Sequence, residues 1–212
     1  MPLRSSNSKH QVYFETPVVM LDTCAITWYA QQPDGMSRFD SLFSAYRLLI
    51  PTPVLYELAF GPEELVGANE RLIREHLSLS GSANCIDQLQ YTRAQRQGQI
   101  KAGGYYILNP GYFEWFSARD RLLRYIDLSN AKHGKSKREY SLDALIHSCA
   151  RNCFAPICTA NISDFKKMNR AGALSAHDGT VPIFSPEQVL LAVSSDVCYE
   201  DETSLKKHLP SD

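Results

Sequence analysis

Four acidic residues stand where this chain could do chemistry. Asp22 closes the short apolar run "PVVMLD" (17–22), and Asp164 follows another in "APICTANISDF" (155–165). Glu57 and Asp143 lie in "PVLYELAF" and "YSLDAL". Each has an ordinary explanation when taken alone. An aspartate such as Asp22 caps the helix that "TCAITWYA" predicts. Asp143 and Asp164 fall in first helical turns, where the helix dipole favours an anion. His147, one turn after Asp143, reads as its partner on a helix surface. Glu57 resists this treatment, because its neighbours are apolar and glutamate is seldom buried without a partner.

Taken jointly the acids say more. At separations of ~6 Å and an effective dielectric of ~20, each pair of converging carboxylates costs about 3 kcal/mol. Repulsion among all four would rival the ~5–15 kcal/mol stability of an entire domain. Such a cluster needs a cation, or it must protonate. Oxygen ligands suit a hard divalent ion, Mg²⁺ or Mn²⁺, and no His/Cys set favours zinc. A carboxylate-held Mg²⁺ lowers the pKa of a bound water and shields phosphate charge, which is the apparatus of phosphoryl chemistry.

The elements that must position these groups can be read from hydrophobic spacing. "PVVMLD" predicts a strand buried on both faces. "SRFDSLFSAYRLL" (37–49) predicts a helix, and "IPTPVLYELAFGP" (50–62) a second, entered through prolines and closed at Gly61-Pro62. "EELVGANERLIREHLSL" (63–79) predicts a third. Residues 80–111 carry no pattern stronger than a connection, with paired glycines and Asn109-Pro110. "YFEWFSARDRLLRYIDL" (112–128) predicts a helix with a core-facing stripe of Trp115, Phe116, Leu122, Leu123 and Ile126. "NAKHGKSKRE" (130–139) is a polar, basic loop. "YSLDALIHSCARNC" (140–153) then gathers Leu142, Leu145, Ile146, Cys149 and Cys153 on one helix face. Strand "FAPICTA", helix "SDFKKMNRAG", strand "TVPIF" and helix "SPEQVLLAV" complete the pattern. Short apolar strands alternating with helices predict the α/β class and a parallel sandwich. In such sheets the active groups gather at the carboxyl ends of the strands.

Composition narrows the function classes. The chain has 212 residues, 44% hydrophobic and 21% charged, which predicts one ordinary domain over 1–193 and a polar, poorly ordered tail over 194–212. No apolar run approaches the ~20 residues of a membrane span, so no membrane partner is expected. "MPLRSSNSKHQVYFETP" lacks the apolar stretch of a signal peptide, so the expected compartment is the cytoplasm. The six cysteines show neither CxxC pairs nor zinc spacing and read as buried reduced thiols. A net charge of −1 provides no global field for nucleic acid, so any such binding must rest on a local patch.

"VVMLDTCAI", "IPTPVLYELAFG", "YSLDALIHSCARNC" and "PICTANISDF" together resemble the four motifs of the PIN-domain nucleases, in that family's order. The resemblance implies a three-layer α/β/α sandwich with a central, mostly parallel sheet, and a metal-dependent endoribonuclease activity. It implies that Asp22, Glu57, Asp143 and Asp164 hold Mg²⁺ or Mn²⁺, with Asp22 and Asp143 as direct ligands. Glu57 and Asp164 would orient metal waters or serve as a general base. Thr23 and Thr159 would lie next to the scissile phosphate, and Asn161 would orient a carboxylate or a metal water. Products would carry 5′-phosphate and 3′-hydroxyl ends. Partners implied are RNA, a small antitoxin protein if the chain is a ribonuclease toxin, and a second copy in a homodimer.

Two departures accompany the resemblance. Cys24 stands where the family often has Asn or Ser, which removes a supporting hydrogen bond. The stretch between Glu57 and Asp143 is longer than in compact toxins, an insertion of about 80–138. It holds Arg93, Arg96, Lys101 and Lys132. Lys135, Lys137 and Arg138 lead straight into the Asp143 helix, so they are expected to contact the RNA backbone. Two other readings stay open: a catalytically inactive RNA- or protein-binding module of the same fold, and a Mg²⁺-dependent small-molecule phosphatase. Against the latter, "DTCAI" lacks the second acid of an Asp-x-Asp-x-Thr motif.

Overall fold

The computed structural model describes residues 18–80, 84–100, 103–128, 141–172 and 181–195. In chain order its elements are β1 (Val18–Leu21), α1 (Thr23–Gln31), α2 (Gly35–Ala45), β2 (Arg47–Pro51), α3 (Thr52–Ala59), α4 (Glu63–Ser80), β3 (Asn84–Asp87), α5 (Gln88–Arg96), β4 (Tyr105–Asn109), α6 (Tyr112–Leu128), α7 (Ser141–Cys153), β5 (Ile157–Cys158), α8 (Ile162–Gly172), β6 (Ile183–Phe184) and α9 (Pro186–Ser195). The strands form one sheet in the order β3-β4-β2-β1-β5-β6, and every pairing is parallel. All four residues of β1 are buried, as a strand must be when helices cover both faces.

The helices divide into two layers. α1, α2, α3, α4 and α9 pack among themselves, and α5, α6, α7 and α8 do likewise. This is the α/β/α sandwich that the alternation of strands and helices predicts. The division has a functional consequence. The chain leaves β1 for the first layer and leaves its neighbour β5 for the second. Neighbouring strands whose connections part to opposite faces open a crevice at their carboxyl ends. Asp22 and Thr159 are the residues that emerge there.

Several sequence expectations change in the structure. The helix predicted for 37–49 ends at Ala45, and Arg47–Pro51 is a strand. A short, buried apolar run has no period that separates strand from helix, so "RLL" reads as the end of one helix and "IP" as the entrance of the next. The stretch 80–111 is more than a connection. It supplies β3, α5 with a capping box at Asp87 and Gln90, and β4. Gly104, at φ 87°, admits this entry into β4, since a Cβ there would lie 2.5 Å from the Arg47 guanidinium. The segment 80–138 thus adds two strands to the sheet besides its helices. Helix α9 runs to Ser195, so the first residues assigned to a tail are helical.

Helix α6 keeps only part of its expected stripe inward: Leu122 packs against the core, and the Ile126 side chain lies outside those described. Trp115 and Phe116 are each 54% exposed, and Leu123 is exposed as well. Buried among its described residues are Glu114, Ala118 and Arg121. Glu114 accepts from the Gly111 backbone N–H at 2.8 Å and from Asn152 Nδ2 at 2.7 Å, while Arg121 Nη1 donates to the Met168 carbonyl at 2.9 Å. Their hydrogen bonds to α7 and α8 explain the choice, because buried polar groups are tolerated once paired. His147 is likewise not a surface partner of Asp143. It is fully buried, with Nε2 and Asn169 Oδ1 2.8 Å apart. The thiols also divide: Cys149, Cys153 and Cys158 are buried as expected, but Cys24 and Cys85 are exposed.

Candidate functional site

Asp22 is both a cap and a buried charge. It precedes α1 with extended backbone, and its Oδ1 accepts from the Thr23 backbone N–H at 2.8 Å. Its Oδ2 accepts from the Thr159 hydroxyl at 2.6 Å. The sheet fixes this meeting, because the Asp22 N–H donates to the Cys158 carbonyl at 3.1 Å. The side chain is nearly out of reach of solvent, at 2% exposed. Burial raises its pKa from 3.8 to about 6, and the charge of Glu57 pushes the same way. Hydrogen bonds from Thr159, Thr23 and Cys24 oppose the rise without cancelling it.

Glu57 arrives from α3, the helix that follows β2. Half-buried, it accepts from the Thr23 hydroxyl. Thr23 therefore joins two acids, Asp22 through its backbone and Glu57 through its side chain. Cys24 reports the third. Its thiol is pushed up to about 12, first by loss of solvent and then by the charges of Asp22, Asp143 and Glu57. Asp22 and Glu57 thus meet at Thr23, and Asp143 lies near enough to Cys24 for its charge to act there. Asp143 comes from the first turn of α7, which touches α3 across the end of the sheet and so brings the two helical layers together there.

Asp164 is engaged differently. It lies in the first turn of α8, and its Oδ1 accepts from Lys167 Nζ at 3.0 Å, one turn along the same helix. Asn161 sits nearer the acids, since its backbone N–H donates to Thr159 Oγ1 at 2.9 Å. The Thr159 hydroxyl is fully buried between Asp22 and Asn161. It orients the carboxylate and is not displayed toward a substrate phosphate. Cys24, the departure from the resembled motif, hydrogen-bonds Asp22. A weak S–H donor thus takes up the supporting role that its substitution put in doubt. The position directly after Asp-Thr was the signal for it.

Of the basic residues in the 80–138 segment, Arg93 and Arg96 are exposed on α5. Lys101, Lys132, Lys135, Lys137 and Arg138 lie outside the described residues.

Among the described residues, no three His, Cys, Asp or Glu side chains are arranged to grip a metal ion directly. The chemistry of the cluster nevertheless fits a hard cation. Its donors are carboxylate oxygens, and a buried carboxylate raised to about 6 beside a second acid is a group that positive charge would relieve. Asp22, Glu57 and Asp143 are the residues that would hold it, and bound waters would complete a Mg²⁺ shell.

Fold and site together define the class: an α/β/α protein with an acidic cluster at a switch point of a parallel sheet. In comparisons with known proteins, no protein-family model matches the chain, and no curated protein matches it. No described helix is long and apolar enough to cross a membrane.

Proposed function

We propose that this chain is a Mg²⁺- or Mn²⁺-dependent endoribonuclease that hydrolyses RNA phosphodiesters at the Asp22, Glu57 and Asp143 cluster. The observation that carries the reading is the meeting of two acids from separate elements, Asp22 and Glu57, at Thr23, with Asp22 buried and the charge of Asp143 felt at the neighbouring Cys24. A divalent ion bound there would shield phosphate charge and acidify a water. The chain's own groups supply orientation. Thr159 and the Thr23 N–H hold both Asp22 oxygens, and the Thr23 hydroxyl holds Glu57. Asp143, in the first turn of α7, adds a charge that acts on Cys24. The resemblance to PIN-domain nucleases supports RNA as substrate.

Two observations favour a second reading. Asp164 is paired with Lys167, and no direct three-donor metal set exists among the described residues, as in a fold-sharing module that binds RNA without cutting it. One assay separates the possibilities. Labelled RNA, labelled single-stranded DNA and a generic phosphate monoester are each incubated with the chain, with Mg²⁺ and with EDTA. Cleavage of RNA that EDTA abolishes and Mg²⁺ or Mn²⁺ restores is the expected result. RNA binding without cleavage supports the module, and turnover of the monoester alone supports a phosphatase.

A further inference from the structure

Helix α3 carries two exposed rings beside the acid it contributes. Tyr56, directly before Glu57, is 60% exposed, and Phe60, which closes the helix, is 74% exposed. Their ring centroids lie 4.6 Å apart with the planes tilted by 42°. Residues four apart share one flank of a helix, and the residue after the first lies about 100° around it. The pair therefore borders the Glu57 side chain without covering it. On its other flank α3 buries Val54 and Leu58, while the two rings themselves are exposed.

Building on the nuclease reading, we propose that Tyr56 and Phe60 form a stacking platform for a nucleobase of single-stranded RNA, next to the phosphate met by Asp22, Glu57 and Asp143. Every base has a π face, and an aromatic ring can use it whatever the sequence, provided the base is unpaired. In a duplex that face is hidden. Charge makes the same point from the other side. A net charge of −1 and an acidic cluster exert little pull on a polyanion, so an interaction that phosphate repulsion does not oppose adds affinity at this edge to whatever a basic patch supplies. Stacking is such an interaction. The larger aromatic group on α6, Tyr112, Phe113 and Phe116, does not share this argument. Glu114 and Ser117 contact Asn152 and Arg151, which sets that group beside the far end of α7 from Asp143.

The test uses the full chain and a labelled single-stranded RNA of about ten nucleotides, the length one such surface can engage. Affinity is read by fluorescence anisotropy and cleavage by gel, each for the single strand and for the same strand in a duplex. The double variant Tyr56→Ala/Phe60→Ala is expected to bind the single strand about tenfold more weakly or worse. The ring-preserving variant Tyr56→Phe is expected to bind as the unsubstituted chain does, and duplex binding is expected to be the same for all. A melting curve confirms that each variant is folded. Unchanged single-strand affinity in the double variant, or an equal loss for the duplex, overturns the platform while leaving the nuclease reading intact. So does sedimentation showing that the double variant breaks a dimer, since the rings would then join two copies of the chain. Absence of Mg²⁺-dependent cleavage by the unsubstituted chain overturns the nuclease reading and the platform with it.

Discussion

At the scale of single residues, Asp22 governs the behaviour of the site. Its carboxyl keeps a proton to about pH 6 in the folded chain but releases it near 3.8 when unfolded. Between those values the folded state binds more protons, so this group's contribution to stability falls as pH rises. His147 works in the opposite sense. Burial lowers its pKa from 6.5 to about 3, so below pH 6.5 the unfolded chain binds more protons and stability falls as pH drops. From about pH 4 to 6 the two slopes offset one another. Asp22→Asn is therefore expected to do two things in EDTA. It should raise stability at pH 7 by up to roughly 3 kcal/mol, the free energy of a two-unit shift. It should also unmask a loss of stability on acidification from pH 6.5 to 4. Urea unfolding across that range measures both, and a flat profile in the variant would remove His147 as the opposing group. For catalysis the informative change is Asp143→Asn. It should reduce RNA cleavage at least a hundredfold with the melting temperature nearly unchanged, because Asp143 is only half-buried and supplies charge rather than packing.

At the scale of elements, the site depends on how helices are joined and turned. The corner between α1 and α2 requires Gly35, whose Cβ would lie 1.8 Å from the Tyr29 carbonyl oxygen. That oxygen belongs to helix backbone and cannot swing aside as a side chain could. Gly35→Ala is expected to lower stability by about 1–3 kcal/mol, the range for forced overpacking, as read by chemical denaturation. The Tyr29 side chain, fully buried against Phe39, stands at the same corner, so the damage should reach the helix that begins at Asp22. Helix α6 shows the converse principle. Its polar Glu114 and Arg121 face inward because α7 and α8 offer them partners, and its aromatic residues are left outside.

At the scale of the whole molecule, the acids are held together only because the two helical layers meet at one end of the sheet. A cation that binds there links those layers and should stabilise the entire fold. Saturation at ~100 times the dissociation constant contributes about 2.7 kcal/mol. For a domain of this size that corresponds to a rise in melting temperature of roughly 5–10 °C. Mg²⁺ or Mn²⁺ is expected to produce such a rise in the unsubstituted chain and to produce much less in Asp22→Asn and Asp143→Asn. Equal shifts in all three would mean that the ion binds elsewhere.

The amino-acid sequence by itself determined the architecture and most of the helices. Strand β1 and helices α4 and α7 declared themselves through period and punctuation, signals that are local and survive without any neighbour. It also singled out four acids, Asp22, Glu57, Asp143 and Asp164, since an acid at the end of a buried strand, in a first helical turn or within an apolar helix is visible in one dimension. Of these, Asp22 and Glu57 meet at Thr23, whereas Asp164 pairs with Lys167. Strand β2 was not visible, because a five-residue buried run has no period of its own, and neither was the outward turn of Trp115 and Phe116. The burial of His147 beside Asn169 and the Thr159 hydroxyl on Asp22 were decided only by tertiary structure. Each depends on which side chain a distant segment brings within hydrogen-bonding range. In the case of Thr159 that partner is 137 positions away along the chain.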